Sequence, residues 1–372
     1  MSRPGSIGVK EFPFPELEPR AALVRMVMSG ICGTDKHTFE GLTHHAGFQV
    51  NFPIIPGHEN LSIIEKLGRK EDGWFDGNGV PLKQGDRVAP VPDVRCGECY
   101  TCKNFYGWSW CDRISAYGGQ LSSRDPPHLF GGWAEYMYLL PKTSLFKVPD
   151  GLPDKIAVLT EPMSVAYSSL ARALTPYWLV KEGSGPGDSI VIQGSGPIGL
   201  THAAIAKMAG AGKVIMIGDP NERLEVAKQV GVDQTVSIEK YSTPQERVGR
   251  VLELTEGRGA ELVIECVGSP TAFKEGLEMV SLGGTYLEVG NYVDAGEVSV
   301  NPHQILSKCI RIIGVNGNPY QAFGRVLTMM DLNWKHYNLD KLVTHSYNID
   351  SAESALRTTQ SLKGIKVVVT PS

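Results

Sequence analysis

The apolar pattern changes character along the chain. Up to about residue 160 it comes in short runs broken by Gly and Pro: AALVRMVMSGIC, ENLSIIEKLG, DRVAPVP and AEYMYLL. Runs of this length bounded by turn residues predict strands. Few stretches there repeat at helical spacing, so a mostly β region is expected. TEPMSVAYSSLARAL then has the spacing of a helix. From Ser189 strands and helices alternate: SIVIQG, LTHAAIAKMAG, KVIMIGD, ERLEVAKQVG, QTVSI, TPQERVGRVLELT, ELVIECVG, TAFKEGLEMVS, TYLEVG and CIRIIGVNG. Ser242 or Thr243 is placed to cap the third of these helices. Such alternation builds a parallel sheet covered by helices on both faces. From about Asn318 the pattern returns to mixed short elements, and no internal repeat or low-complexity tract occurs.

The 372 residues suggest about two domains. With 36 Lys and Arg against 40 Asp and Glu, there is no basic footprint for nucleic acid. MSRPGSIGVKEF lacks the apolar core of a signal peptide, and no run approaches a membrane span. A cytoplasmic protein is therefore expected, and there clustered cysteines more often hold metal than form disulfides.

The turn QGSGPIG follows the first strand of the alternating region and opens its first helix. Gly194, Gly196 and Gly199 fit G-x-G-x-x-G, with Pro197 and Ile198 at the helix start. That context predicts a dinucleotide site, with the pyrophosphate at the helix N-terminus. Asp219, closing the next strand, is placed for the ribose hydroxyls, favouring NAD over NADP. Arg223, four residues on, is placed to soften that preference.

Cys96, Cys99, Cys102 and Cys111 fall within one loop. Four thiolates suit a closed tetrahedral zinc with no position for substrate, hence a structural site, in preference to an iron–sulfur cluster. A catalytic metal needs fewer protein ligands. Cys32 in SGICGTDKH and His58 in PGHEN are candidates, with Glu59 or Glu161 as third ligand. Spacing alone also permits Cys32 as a small buried hydrophobe and His58 as an ordinary loop histidine.

GICGTDKH, PGHEN, the four-cysteine lobe, GGWAEY, LTEPMSVAY and GSGPIG occur together in this order. The combination resembles the zinc-dependent medium-chain alcohol and polyol dehydrogenases, including sorbitol, threonine and sugar dehydrogenases. The resemblance implies an α/β and β fold: a GroES-like catalytic domain over 1–162, interrupted by a Rossmann domain over 163–317, with 318–372 returning to the catalytic domain. It implies two zincs per chain, one catalytic and one structural, and NAD. It matches Cys32 and His58 to catalytic zinc ligands, with Glu161 or Glu59 completing the set. Thr34 and His37 match a proton relay by way of the cofactor ribose, and Asp35 an acid that orients His58. Val267, Gly268, Val289 and Gly290 match the nicotinamide side of the cofactor site, and Lys366 a basic residue on the pyrophosphate. A homodimer or homotetramer is implied, pairing near CIRIIGVNG. Cys266 and Cys309 read as core cysteines.

The chain also departs from the family pattern. The last lobe spacing is eight residues where seven is expected, and the loops at 69–84, 103–130 and 175–188 are long. The implied reaction is reversible NAD-dependent oxidation of an alcohol, with Glu161 pointing to polyols, sugars or other secondary alcohols. Tyr106, Trp108, Trp110, Tyr117 and Trp133 either line a site for bulky cyclic or aromatic alcohols or pack loops over the β domain. A zinc-lobe binding module without catalysis is the alternative from a different class. A zinc-free quinone reductase would lack Cys32, His58 and the lobe.

Overall fold

A computed structural model describes residues 1–45, 48–105, 111–174, 183–317 and 319–372. These divide into two compact units. One comprises Met1–Ser164, Gly317–Trp334 and Val343–Ser372, and the other Val165–Asn316 and Lys335–Leu342.

The first unit is built on a seven-stranded sheet. Its central strand, Ala22–Gly30, pairs antiparallel with Glu59–Leu67, Tyr136–Leu139 and the C-terminal strand Lys366–Thr370. Arg87–Pro90 and Leu145–Lys147 extend one side, and Val343–Asn348 closes the other. Val24, Met26, Ile64, Val88 and Met137 make the buried layer between strands and loops. The long loop at 69–84 is pinned down: the Asp76 carboxylate accepts from the amides of Asn78, Val80 and Lys147 at 2.8, 2.8 and 3.1 Å.

The second unit carries six parallel strands. In spatial order they are Gln234–Ser237, Lys213–Gly218, Ser189–Gln193, Ala260–Glu265, Val280–Glu288 and Arg311–Gly314. That is the order three, two, one, four, five, six of a dinucleotide-binding sheet, which reverses direction beside its first strand. Helix Pro197–Met208, buried from Gly199 through Ala206, follows that first strand. Thr243 caps helix Pro244–Leu254 reciprocally: its hydroxyl accepts from the Glu246 amide at 3.3 Å, and Glu246 accepts from the Thr243 amide at 3.0 Å.

Three sequence expectations change. The β-rich part contains helix Gly33–Glu40, where only Asp35 and Thr38 are buried, so no apolar period marks it. The stretch expected to hold mixed short elements includes the 13-residue helix Gln321–Asn333. That helix buries Ala322, Phe323, Val326, Leu327 and Met330, and Phe323 stacks on Phe146 with ring centroids 5.9 Å apart. Cys309 is exposed rather than in the core, because it takes a left-handed turn (φ 52°) just after helix Pro302–Ser307.

Replacing Thr243 by Ala removes one side of the capping box. The expected cost is about 1 kcal/mol of unfolding free energy, read by urea titration; an unchanged midpoint and slope would contradict the assigned cap.

Candidate active site

The register of the first unit brings the metal-ligand candidates together. Gly30 lies opposite Glu59 in the antiparallel pair, so Cys32 and His58 run off the same end of the two strands. The ligand atoms of Cys32, His58 and Glu59 all lie within 4.8 Å of one another. Gly30 is needed there, since a Cβ would meet the Glu59 carboxylate at 2.0 Å. The His58 turn is clamped by the GGWAEY segment: the Gly132 amide donates to Gly57 O at 2.8 Å and the Trp133 amide to Pro56 O at 2.9 Å.

Asp35 supports both ligand loops, in a different way from the one expected. Its carboxylate accepts from the Cys32 amide at 2.9 Å and the Gly57 amide at 3.4 Å, and lies 3.9 Å from His58 Nδ1. It ties the loop of each ligand through the backbone and faces the His58 ring only at ion-pair distance. Burial raises its carboxyl, opposed by His58. Burial disfavours charge on His58, but Cys32, Asp35 and Glu161 together push its pKa well above the usual histidine value.

Glu161 sits in the first turn of helix Thr160–Ala173, outside the tight group of three donors. It is still electrostatically joined to them. Burial pushes its carboxyl up to about 7, His58 opposes this and Glu59 adds to it. Asp93, on the short strand Asp93–Val94, belongs to the same neighbourhood and is no part of the sequence motifs. Burial raises it to about 6, against the pull of Arg95 and His58. Its only sequence signal is an acid in an otherwise apolar run, PVPDV, just before the cysteine lobe.

Lys366 overturns its sequence assignment. It is 2% exposed, and its Nζ donates to both Glu59 oxygens at 2.6 Å and to Ile31 O at 3.1 Å. All three N–H bonds are used inside the first unit, so none is left for a pyrophosphate. Thr34 and His37 share one face of helix Gly33–Glu40, three residues apart. Among the described residues His37 Nδ1 is buried without a hydrogen-bond partner, 3.6 Å from Glu40. Burial, then Lys36, lowers its pKa.

The four lobe cysteines gather within 4.8 Å. Cys111 Sγ lies 3.5 Å from Cys96 Sγ and 3.9 Å from Cys99 Sγ. A tetrahedral zinc with Zn–S of about 2.3 Å requires sulfur separations of about 3.8 Å. Amides of Glu98, Cys99, Cys102 and Arg113 donate to these sulfurs at 3.3–3.4 Å, which favours thiolates. The lobe therefore fits zinc. Tyr106, Trp108 and Trp110 lie outside the described residues.

In the second unit, Gly194 adopts φ 108° and its amide donates to Ile217 O at 2.8 Å. A Cβ on Gly199 would meet Gly194 O at 1.9 Å, so strand and helix approach as the fingerprint requires. Gly196 caps the helix, with Pro197 at its first position. Asp219 ends beside this turn: Ser195 Oγ donates to its carbonyl at 2.6 Å, and its carboxylate lies 3.3 Å from Ser237 Oγ and the Glu239 amide. Arg223 is only 8% exposed, so it is not displayed for a 2′-phosphate. Val267, just past strand Ala260–Glu265, leaves an apolar side chain 53% exposed beside Gly194.

Residues 18–150 match the model of an alcohol dehydrogenase GroES-like domain, and 197–331 that of a zinc-binding dehydrogenase. The chain belongs to the zinc-dependent medium-chain alcohol dehydrogenases. A sorbitol dehydrogenase of Halalkalibacterium halodurans is 31% identical, over 99% of this chain and 96% of its own. A 5-exo-hydroxycamphor dehydrogenase of Pseudomonas putida is 32% identical, over 96% of this chain and 94% of its own. The crystal structure of an alcohol dehydrogenase from Thermotoga maritima superposes with a TM-score of 0.88 at 29% identity, covering 98% of this chain and 95% of that one. This dehydrogenase is an oxidoreductase that uses zinc and a nicotinamide dinucleotide, and both donor sets fit that chemistry.

Replacing Lys366 by Met leaves the Glu59 carboxylate buried without its cation. The expected loss is about 3 kcal/mol of stability or more, read by denaturant unfolding. A loss under about 1 kcal/mol would mean the pair is not the anchor described.

Proposed function

We propose that this dehydrogenase oxidises a secondary hydroxyl of a polyol or sugar to the ketone, reversibly, with NAD. The observation that carries this is the group formed by Cys32, His58 and Glu59, with further carboxyls at Glu161 and Asp93 in its surroundings. A carboxylate-rich site offers acceptors to neighbouring hydroxyls of a polyol, which a purely apolar alcohol would leave unpaired. The sorbitol dehydrogenase relative supports the same class.

We assign Cys32, His58 and one carboxylate, Glu59 or Glu161, to the catalytic zinc, and the four-cysteine lobe to the structural zinc. When bound, zinc supplies Lewis acidity to the substrate oxygen and NAD the hydride acceptor. The chain's own work is positioning and proton transfer. Thr34 would take up the hydroxyl proton next to the ligand loop, and His37, one turn further along the helix, would release it toward solvent. Gly194, Gly196, Pro197, Ile198 and Gly199 hold the pyrophosphate, Asp219 the ribose, and Val267, Gly268, Val289 and Gly290 the nicotinamide side. The family's domain division applies, with residues 1–162 and 318–372 catalytic and 163–317 binding cofactor. We read the protein as cytoplasmic. We also read it as a homodimer or homotetramer, paired along the edge strand Arg311–Gly314, where Ile312 is 40% exposed.

A bulky cyclic alcohol is the second reading, favoured by the hydroxycamphor dehydrogenase relative. Two of the aromatics, Tyr117 and Trp133, fit the alternative of loop packing instead. Tyr117 is 2% exposed, with its hydroxyl bonded to Thr143 Oγ1 and the Leu140 amide at 2.7 Å. Trp133 is 5% exposed and packs against the His58 turn.

NADH formation across an alcohol panel decides between the two: sorbitol, xylitol and sugars are expected to react faster than cyclic or aromatic secondary alcohols, and the reverse order would contradict the polyol reading. Replacing Cys32 by Ser is expected to lower bound zinc from about two to about one per chain and to abolish turnover; full turnover without that metal would refute the mechanism. Replacing His37 by Gln is expected to slow turnover about tenfold or more. In the wild type the acid limb of turnover should lie below the ordinary histidine value of about 6.5, because His37 stays neutral to lower pH. Unchanged turnover in the variant would remove His37 from the relay.

A further inference from the structure

Two glutamates in the second unit take no part in the account so far. Glu265 ends strand Ala260–Glu265 and Glu288 ends Val280–Glu288. They are direct partners across the parallel pair, so their side chains rise side by side on one face of the sheet. Each uses one oxygen to hold the loop that follows it. Glu265 Oε1 accepts from the Val267 amide at 2.7 Å and the Gly268 amide at 2.8 Å. Glu288 Oε1 accepts from the Asn291 amide at 3.2 Å and from Asn291 Nδ2 at 3.0 Å. The other oxygen of each, Oε2, is buried and has no donor among the described residues. The register sets the two residues side by side, and Glu288 helps to raise the Glu265 carboxyl.

Two buried acceptors cannot satisfy one another while both are ionised, but a single proton between them gives each orphaned oxygen its partner. We propose that Glu265 and Glu288 share one proton, and that this dyad draws together the two loops, Val267–Gly268 and Val289–Gly290, that hold the nicotinamide half of NAD. The proposal rests on the cofactor assignment of those loops given above. They do approach closely: a Cβ on Gly290 would meet Glu265 Oε2 at 2.3 Å and the Gly268 amide nitrogen at 2.4 Å.

The neighbouring titratable groups leave the proton with the dyad. Burial pushes Glu265 up to about 8, and Glu288 adds to it. Burial keeps the Cys266 thiol and the Tyr286 phenol on the Glu288 strand protonated. His202, on helix Pro197–Met208, is pushed down to about 4 by burial and so stays neutral. Glu275, on helix Pro270–Met279, is held by Arg247 at 2.6 Å. Below about pH 8 the dyad keeps its proton and the loops stay together. Above it the proton leaves, the carboxylates repel, and the loops part.

The test is the dissociation constant of NAD for the zinc-loaded enzyme by calorimetry from about pH 6 to about pH 9.5, where linkage to one proton weakens binding by up to about tenfold per pH unit above the transition. The wild type is expected to weaken on the alkaline side. Glu288→Gln, whose amide donates where the proton sits, is expected to lose most of that weakening, and Glu265→Gln likewise. Wild-type affinity flat with pH, or the same alkaline slope in both variants, overturns the proposal. Difference infrared spectroscopy at neutral pH without NAD reads the proton itself: a protonated-carboxyl band is expected, lost in Glu288→Gln. An absent band sinks the dyad, whereas a present band with no NAD binding at any pH sinks the cofactor assignment.

Discussion

The buried ion pair between Lys366 and Glu59 is the interaction on which the first unit turns. Its partners are 307 residues apart and meet at 2.6 Å. Taking both charges out of water is costly, and only close, fully hydrogen-bonded geometry offsets it. Here Nζ has three acceptors, two of them the Glu59 oxygens and the third the carbonyl just before Cys32. The pair thus ties the strand that leads to Cys32, the strand that starts at Glu59 and the C-terminal strand into one corner. The second unit lies between its partners in the sequence.

Around that corner acidic side chains outnumber basic ones. Cys32, Asp35, Glu59, Glu161 and Asp93 surround His58, against Lys366 and Arg95. Burial, with Glu59 adding to it at Asp35 and Glu161, pushes the carboxyls of Asp35, Asp93 and Glu161 toward protonation unless a cation is shared among them. A divalent ion suits that excess. The four-cysteine lobe meets the same demand differently: four sulfurs saturate a tetrahedral shell and backbone amides soften their charge. One group offers four thiols within one loop; the other offers a thiol, an imidazole and a carboxylate.

What could be read from the sequence was local. The glycine turn, Asp219 after the second strand, the cysteine spacing and the Thr243 cap each depend on residues a few positions apart, and each is in place in the structure. What could not be read depends on pairing across the chain. Nothing near Lys366 announces Glu59, so in the sequence it resembles only the family's basic residue on the pyrophosphate. Asp93 has no partner spacing of its own. Glu288 sits in an apolar strand run and gains meaning only from its register with Glu265. Helix Gly33–Glu40 is short, with its start held by the Asp35 carboxylate rather than an apolar stripe, so periodicity missed it.

Anomalous diffraction at the zinc edge from crystals of the full chain tests the central claim most directly. The account predicts two peaks per chain: one among Cys96, Cys99, Cys102 and Cys111, and one bonded to Cys32, His58 and a carboxylate of Glu59 or Glu161, with Lys366 remaining inside the first unit. A zinc-replete crystal with a peak at the lobe alone, and none beside Cys32 and His58, would contradict it.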